Sequence, residues 1–383
     1  MKKSITAALI TAATLSLPVL AAPASVSFEH KDWQVVCDNT LTCRAAGYST
    51  EEDATGSVLI TRKAGPQTAV TVQVLLADMD GSEPPSPAKL ALWINGKSLG
   101  ALTPGDNDTW RLTDAQAAQM IAAVKGSDNV EFRGGARPFV LSGDGASAAL
   151  LKVDDVQGRV GTPGALSKKG NKPESSVTAA IPAPVIQAAT VSKGKARTLS
   201  AAEAKKVTPQ LLATLGKDDD CDRLANPQEE MVEGDNDLTL TPLDAKHSLV
   251  SALCWRAAYN EGHGYWVVDT ALKGKPQFVT SSGTDYSDGA ITLAQRGRGI
   301  GDCWASAEWV WDGSVSSEQR RDHRPVPRYP RGWCLGAARV CRRGESREII
   351  LCAPPRSDDG KRCCSFCALY LRFNGHYTYQ IQN

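Results

Sequence analysis

The sequence predicts an α+β protein, mostly β: two small antiparallel β-rich domains carrying a few short helices and joined by a flexible linker. Three observations predict it. Short β-branched runs recur through the 383 residues between clusters of turn residues. Two Ser/Thr-x-x-Glu/Gln boxes each open a helical pattern. Between the two β-rich stretches lies a Pro, Ala, Ser, Lys and Gly segment, 161–198, with no hydrophobic period and little apolar surface to bury.

In chain order, Phe28 to Val36 reads as a strand, followed by the β-branched runs Val58 to Arg62 and Thr71 to Leu76. Leu90 to Ile94 and Lys97 to Leu102 flank Asn95-Gly96, a dipeptide that accepts the positive φ of a tight hairpin turn. Thr113 and Gln116 form a capping box for an alanine-rich helix that reaches about Lys125 and stops at Gly126. Val130 to Arg133 and Phe139 to Leu141 read as strands, and Ala146 to Val156 as a second helix. The first domain therefore spans 25–160. After the linker, Ser200 and Glu203 make another capping box, and Thr208-Pro209 opens a further short helix that Gly216 ends. Five strands follow in a second domain over 199–313: Asp237 to Thr241, Ser248 to Trp255, Tyr265 to Asp269, Gln277 to Thr280 and Ala290 to Gln295, with 297–313 as the last hairpin.

The amino terminus is a targeting segment. Lys2 and Lys3 precede an apolar run from Ile5 to Leu20, with Ala21, Ala22 and Ala24 after it, the layout of a secretory signal peptide over 1–24. No later run is long and apolar enough to span a bilayer. Export to an oxidising compartment, the periplasm where the host has two membranes, makes Cys37, Cys43, Cys221, Cys254 and Cys303 disulfide candidates. Cys37 and Cys43 bracket a turn-rich spacer, and Cys221 and Cys254 fall together in the second half. Paired metal-ligand spacing is missing from these five, so no metal or other cofactor is expected. Residues 1–313 carry 30 Lys+Arg against 36 Asp+Glu. That mild acidity argues against a nucleic-acid partner.

Gly297 to Gly313 gathers glycine, tryptophan and paired charge more densely than any other stretch. Its glycines lack dinucleotide-binding spacing and follow no βαβ pattern, so they read as turn residues. Arg296 and Arg298 beside Asp302 could present an anion-binding edge, because guanidinium matches carboxylate and phosphate geometry; the plainer reading is a solvated turn with a local ion pair. Trp309 and Trp311 alternate as strand residues on one face, as core packing or as a stacking platform for sugar or peptide. His247, His263, Asp269, Asp285 and Asp288 are the remaining chemical groups, each read as a turn or surface residue. No nucleophile elbow or His-Glu-x-x-His stands among them.

The run Gly297-Arg-Gly-Ile-Gly-Asp-Cys303, then Trp309-Val-Trp-Asp-Gly313, with Cys254-Trp-Arg-Ala-Ala-Tyr-Asn upstream, resembles a bacterial exported family known as domain of unknown function 1176. Trp33-Gln-Val-Val-Cys37 with Cys43 is similar to the start of invasion-associated locus B proteins, and the segment from Phe139 to Lys152 is compatible with theirs. The resemblance covers roughly 28–313. It implies six cysteines, of which five are at Cys37, Cys43, Cys221, Cys254 and Cys303, and it brings no activity with it.

The tail differs in character. Residues 314–383 hold 12 of 23 arginines, one lysine and 6 of 11 cysteines, a bias that a GC-rich gene yields out of frame. Shifting the codons for Pro325 to Cys341 by one base permits a run with a cysteine, an aromatic and an apolar strand. The tail is accordingly read as frameshifted and disordered, and its Cys363-Cys-Ser-Phe-Cys367 cluster as accidental. The expected function is a non-enzymatic envelope protein that binds a partner protein or an acidic glycan through Arg296, Arg298, Asp302, Trp309 and Trp311. The alternative is an envelope hydrolase of glycan or peptide using carboxylates such as Asp269 or Asp302.

Overall fold

The computed structural model describes residues 26–49, 56–76, 87–106, 108–183, 185–217, 219–227, 232–297 and 303–313, with short backbone segments at 341–343, 349–350 and 364–365. The segment expected to be a leader, 1–24, together with Arg298, Asp302 and most of the tail, lies outside the described residues, as do the side chains of Cys303 and Trp304. The architecture is mostly β with a few short helices, as the α+β expectation has it.

The first half is a seven-stranded antiparallel sheet in the order β1-β2-β3-β4-β5-β9-β8, built from β1 (Val26–His30), β2 (Trp33–Cys37), β3 (Cys43–Tyr48), β4 (Gly56–Arg62), β5 (Val70–Leu76), β8 (Thr103–Pro104) and β9 (Trp110–Arg111). A four-stranded sheet, β11-β10-β6-β7, joins β6 (Ala91–Ile94), β7 (Lys97–Ala101), β10 (Val130–Arg133) and β11 (Phe139–Leu141). Helices α1 (Asp114–Val124) and α2 (Ala146–Val156) pack on these sheets, and one continuous core holds Trp33, Ile60, Leu92, Met120, Phe132 and Leu150. Gly47 is required here: a Cβ would collide with the Trp33 ring, which is fully buried and donates from Nε1 to the Ser142 carbonyl at 2.9 Å.

Local sequence signals account for the turns and caps. Asn95 (φ 49°) and Gly96 (φ 74°) make the β6–β7 turn. Thr113 and Gln116 close the α1 capping box from both sides. The strand expected over Phe28 to Val36 is instead a hairpin, β1 to β2, because Lys31 adopts φ 51° and His30 pairs with Trp33 across a two-residue turn. Without glycine or asparagine at Lys31, nothing in the sequence signals that turn.

The second half contains α3 (Ala201–Leu212), α4 (Asp222–Ala225) and two sheets. The five-stranded one runs β13-β14-β15-β16-β17, from β13 (Arg197–Thr198), β14 (Thr239–Pro242), β15 (His247–Arg256), β16 (Glu261–Asp269) and β17 (Gln277–Gly283). The other, β18-β19-β20-β23, uses β18 (Asp285–Ser287), β19 (Ala290–Arg296), β20 (Cys303–Val310) and the tail segment β23 (Cys364–Ser365). One core forms under α3 around Val207, Leu211, Val250, Cys254 and Trp266; a second, around Leu249, Val267, Ile291 and Trp311, lies between the sheets. The expected break at Thr208-Pro209 does not occur. Pro209 sits in the last turn of a single helix, where its missing N–H forfeits one bond and the helix ends three residues later at Leu212. No helix among the described residues is long and apolar enough to cross a membrane.

Two expectations need correction. Residues 161–198 are not a free linker. Asp154, fully buried at the end of α2, accepts from the Leu166 and Ser167 amides at 2.9 and 2.7 Å. Buried Arg159 donates to Gln157, Lys63, Gly65 and Thr68, and Arg62 donates to the Gly164 carbonyl at 2.5 Å. Farther on, the Ala189 amide donates to Trp311 and the Ser192 amide to Leu243. Backbone hydrogen bonding to buried charge orders a stretch whose own side chains could not. The tail, expected to lack structure, contributes β21 (Cys341–Arg343), β22 (Ile349–Ile350) and β23; β21 pairs in parallel with β12 (Val185–Ile186), and β23 with the start of β20.

Candidate functional site

Four of the five expected cysteines are paired. Cys37–Cys43 staples the β2–β3 hairpin, where the two are cross-strand partners. Cys221–Cys254 ties the residue before α4 to β15 near that strand's carboxyl end. Gly264 on β16 makes room for it, since a Cβ there would meet Cys254 Sγ and the Trp266 ring. The disulfide thus holds α4 against the sheet, beside a cleft lined by Arg223 and Leu224 of α4 and by Ala252 and Leu253 of β15.

That cleft, of about 340 Å³, lies between α3, α4, the 235–238 segment and β15. Its apolar surface comes from Ala204, Pro209, Leu224, Leu238, Ala252 and Leu253. The Ser200–Glu203 capping box starts α3 at the near end, with Glu203 also gripping Arg197 through two hydrogen bonds of 2.9 and 2.7 Å. The Arg197 hydrogen bonds, then those from Ser200, hold the Glu203 carboxyl down at about 2.

The electrostatics centre on Asp235. Arg256, on β15, donates from Nη1 and Nη2 to the two Asp235 oxygens at 2.7 and 2.9 Å, and from Nε to Glu261 at 3.0 Å. Burial alone would lower the Arg256 pKa, but the Asp235 hydrogen bonds outweigh it and raise the value. A second arginine, Arg223 on α4, lines the cleft and comes within 3.8 Å of the same carboxylate, beyond hydrogen-bond reach. Its side chain is 11 % exposed, and its Nε and Nη2 are buried with no hydrogen-bond partner among the described residues. A guanidinium so placed, in a small cleft that also presents Lys205, Thr208, Asn236 and Asp237, is able to receive an anionic group.

Arg223 and Asp235 were missed by sequence reasoning. Neither stands in a motif, and only the fold brings α4, Asp235 and Arg256 together.

Of the sequence-derived binding candidates, Arg298 and Asp302 lie outside the described residues, and the described ones, Arg296, Trp309 and Trp311, do not come together. Trp311 is 6 % exposed and packs in the inter-sheet core against His247, with ring centroids 5.4 Å apart, so it is a core residue rather than a stacking platform. Trp309 is half-buried beside that core. Arg296 pairs across from Trp304, whereas Trp309 pairs with Ile291, five residues along β19 and roughly 16 Å away. The void bounded by Leu249, Val267, Ile291 and Trp311 is apolar, about 30 Å³, and belongs to the core. Asp269 accepts from the Ala271 amide at 2.8 Å as a turn residue, and Asp288 (φ 46°) occupies the β18–β19 turn. His247 Nδ1 lies 2.9 Å from Asp244 Oδ2, and His263 Nε2 3.6 Å from Glu261. No nucleophile hydrogen-bonds to either imidazole in the contacts described. Among the described residues no group of three or more His, Cys, Asp or Glu is placed to hold a metal ion.

Comparison with known proteins places the chain. It is 27 % identical over 328 residues to "Uncharacterized protein YpfG" of Escherichia coli (strain K12), covering 77 % of this chain and 86 % of that one. No solved structure matches. The family described as "Protein of unknown function (DUF1176)" matches residues 27–324, a span that takes in both β-rich halves, both disulfides and the cleft, and the chain belongs to that family.

Proposed function

We propose that the chain is an exported, disulfide-stabilised, non-enzymatic binding protein of the bacterial envelope, and that the cleft beside Arg223 is its binding site. The observation that carries this reading is a cleft between α3, α4 and β15 that contains an underpartnered guanidinium, with the Cys221–Cys254 disulfide joining α4 to β15 behind it. Two disulfides suit an oxidising compartment, and the Lys2-Lys3 plus Ile5–Leu20 leader supplies the route there. No arrangement of carboxylates described above favours the hydrolase. The unit organisation in this reading is 25–160 and 199–313, with 161–198 docked rather than free.

We also propose that the gene changes frame near Gly313. Supporting this, the family match ends at 324, shortly after the arginine- and cysteine-rich composition begins. Reading the gene in related loci tests it: the same tail in the same frame would refute the idea.

Intact-mass analysis of envelope fractions tests the main reading. The expected species has lost its leader and carries both disulfides. A protein confined to the cytosolic fraction with its leader retained and its thiols reduced would overturn it.

A further inference from the structure

We infer that the cleft takes a small monocarboxylate with an apolar body, and that Arg223 is the group that binds its carboxylate. This deepens the reading above and rests on it. The guanidinium carries five N–H donors in a fixed fork, and burying such a charge without hydrogen bonds is costly. Asp235 does not meet the need. Both of its oxygens receive Arg256 at 2.7 and 2.9 Å, whereas Arg223 stands 3.8 Å off. Arg256 is itself satisfied, with Glu261 completing its set. Arg223 is therefore left in the cleft wall with two buried nitrogens unmatched.

The surroundings select among anions. Leu224, Leu238, Ala252 and Leu253 offer apolar contact to a hydrocarbon body, which a bare inorganic ion does not have. The Asp235 charge close to Arg223, with Asp237 also in the lining, opposes a second negative charge on the ligand; against these two carboxylates the cleft sets only Arg223 and Lys205, which disfavours a phosphate dianion against a carboxylate. At about 340 Å³ the cleft is at the lower end of small-molecule sites, which suits a compact acid and excludes a folded partner from its interior.

The test uses the full chain with benzoate and hexanoate as probes, benzamide as the neutral counterpart of benzoate, and inorganic phosphate as the competing oxyanion. Binding is read by titration calorimetry and by the shift in thermal unfolding midpoint. Expected is a saturable upward shift with benzoate or hexanoate, weakened about tenfold or more in Arg223→Met and lost in Thr208→Trp, which fills the cleft from the α3 side. Benzamide matching benzoate in both wild type and Arg223→Met would overturn the carboxylate assignment while leaving the cleft a binding site. Phosphate binding in place of both acids would overturn it in favour of an inorganic oxyanion. No binding by any probe would overturn both the assignment and the cleft reading.

Discussion

Arg223 and Asp235 stand 3.8 Å apart, and the distance is set by a competitor: Arg256 holds both carboxylate oxygens from β15. One acid faces two arginines, and the better-placed arginine takes it. The loser is the one whose side chain lines the cleft.

An arginine kept there without a full set of partners costs stability. Arg223→Met keeps the hydrocarbon stem and removes the buried charge, so the unliganded variant should be more stable than wild type by about 1–2 kcal/mol. Urea unfolding at neutral pH measures this. A loss of stability of similar size would mean that the Arg223–Asp235 attraction outweighs the desolvation.

The two disulfides should differ in worth. Cys221–Cys254 closes a separation of 33 residues and Cys37–Cys43 one of 6. Loop-closure entropy gives about 3–4 kcal/mol for the first and about 2 kcal/mol for the second. Paired Cys→Ser variants measured by urea unfolding should follow that order, and the Cys221/Cys254 variant should also lose probe binding in the cleft.

Asp154 is the anchor of the stretch expected to be a linker. Burial pushes its carboxyl upward in pKa, and the Leu166 and Ser167 amides work against that shift. Asp154→Asn would turn an amide donor toward one of those N–H groups and should cost about 1–3 kcal/mol. Hydrogen exchange should report faster exchange of the Leu166 and Ser167 amides while those of β2 and β4 stay slow.

Acid should loosen the second half through Asp244. Its hydrogen bond with His247, aided by the Lys246 and His247 amides, lowers its carboxyl to about 2. A carboxylate depressed in the folded state contributes stability that is present above its unfolded pKa of about 4 and is lost as pH falls toward about 2. Unfolding midpoints between pH 5 and pH 2 should decline, and Asp244→Asn should flatten that part of the curve.

Where a signal is local, the sequence displays it. Asn95-Gly96, the Thr113 and Ser200 caps and the extent of α2 are all visible, because turn chemistry and capping act within four residues. The Lys31 turn is hidden because a lysine at positive φ carries no compositional mark, and β3 because Cys43-Arg-Ala-Ala-Gly-Tyr48 lacks branched side chains. Order in 161–178 is hidden for another reason. It depends on Arg62, Asp154 and Arg159, charges that in a sequence look like ordinary surface. The cleft is the extreme case, since Arg223, Asp235 and Arg256 are far apart in sequence and meet only where the fold sets α4 and the 235–238 segment beside β15.

Trp311 is held from two sides: its amide donates to Gly289, its carbonyl accepts from Ala189, and its ring is enclosed between the sheets. Among the described residues, the side chains of that interior run from Ala189 to Trp311. The Trp311 end of β20 is thus clasped by backbone from two separate segments, so loosening either the Gly289 or the Ala189 side would unseat the ring from the core it closes.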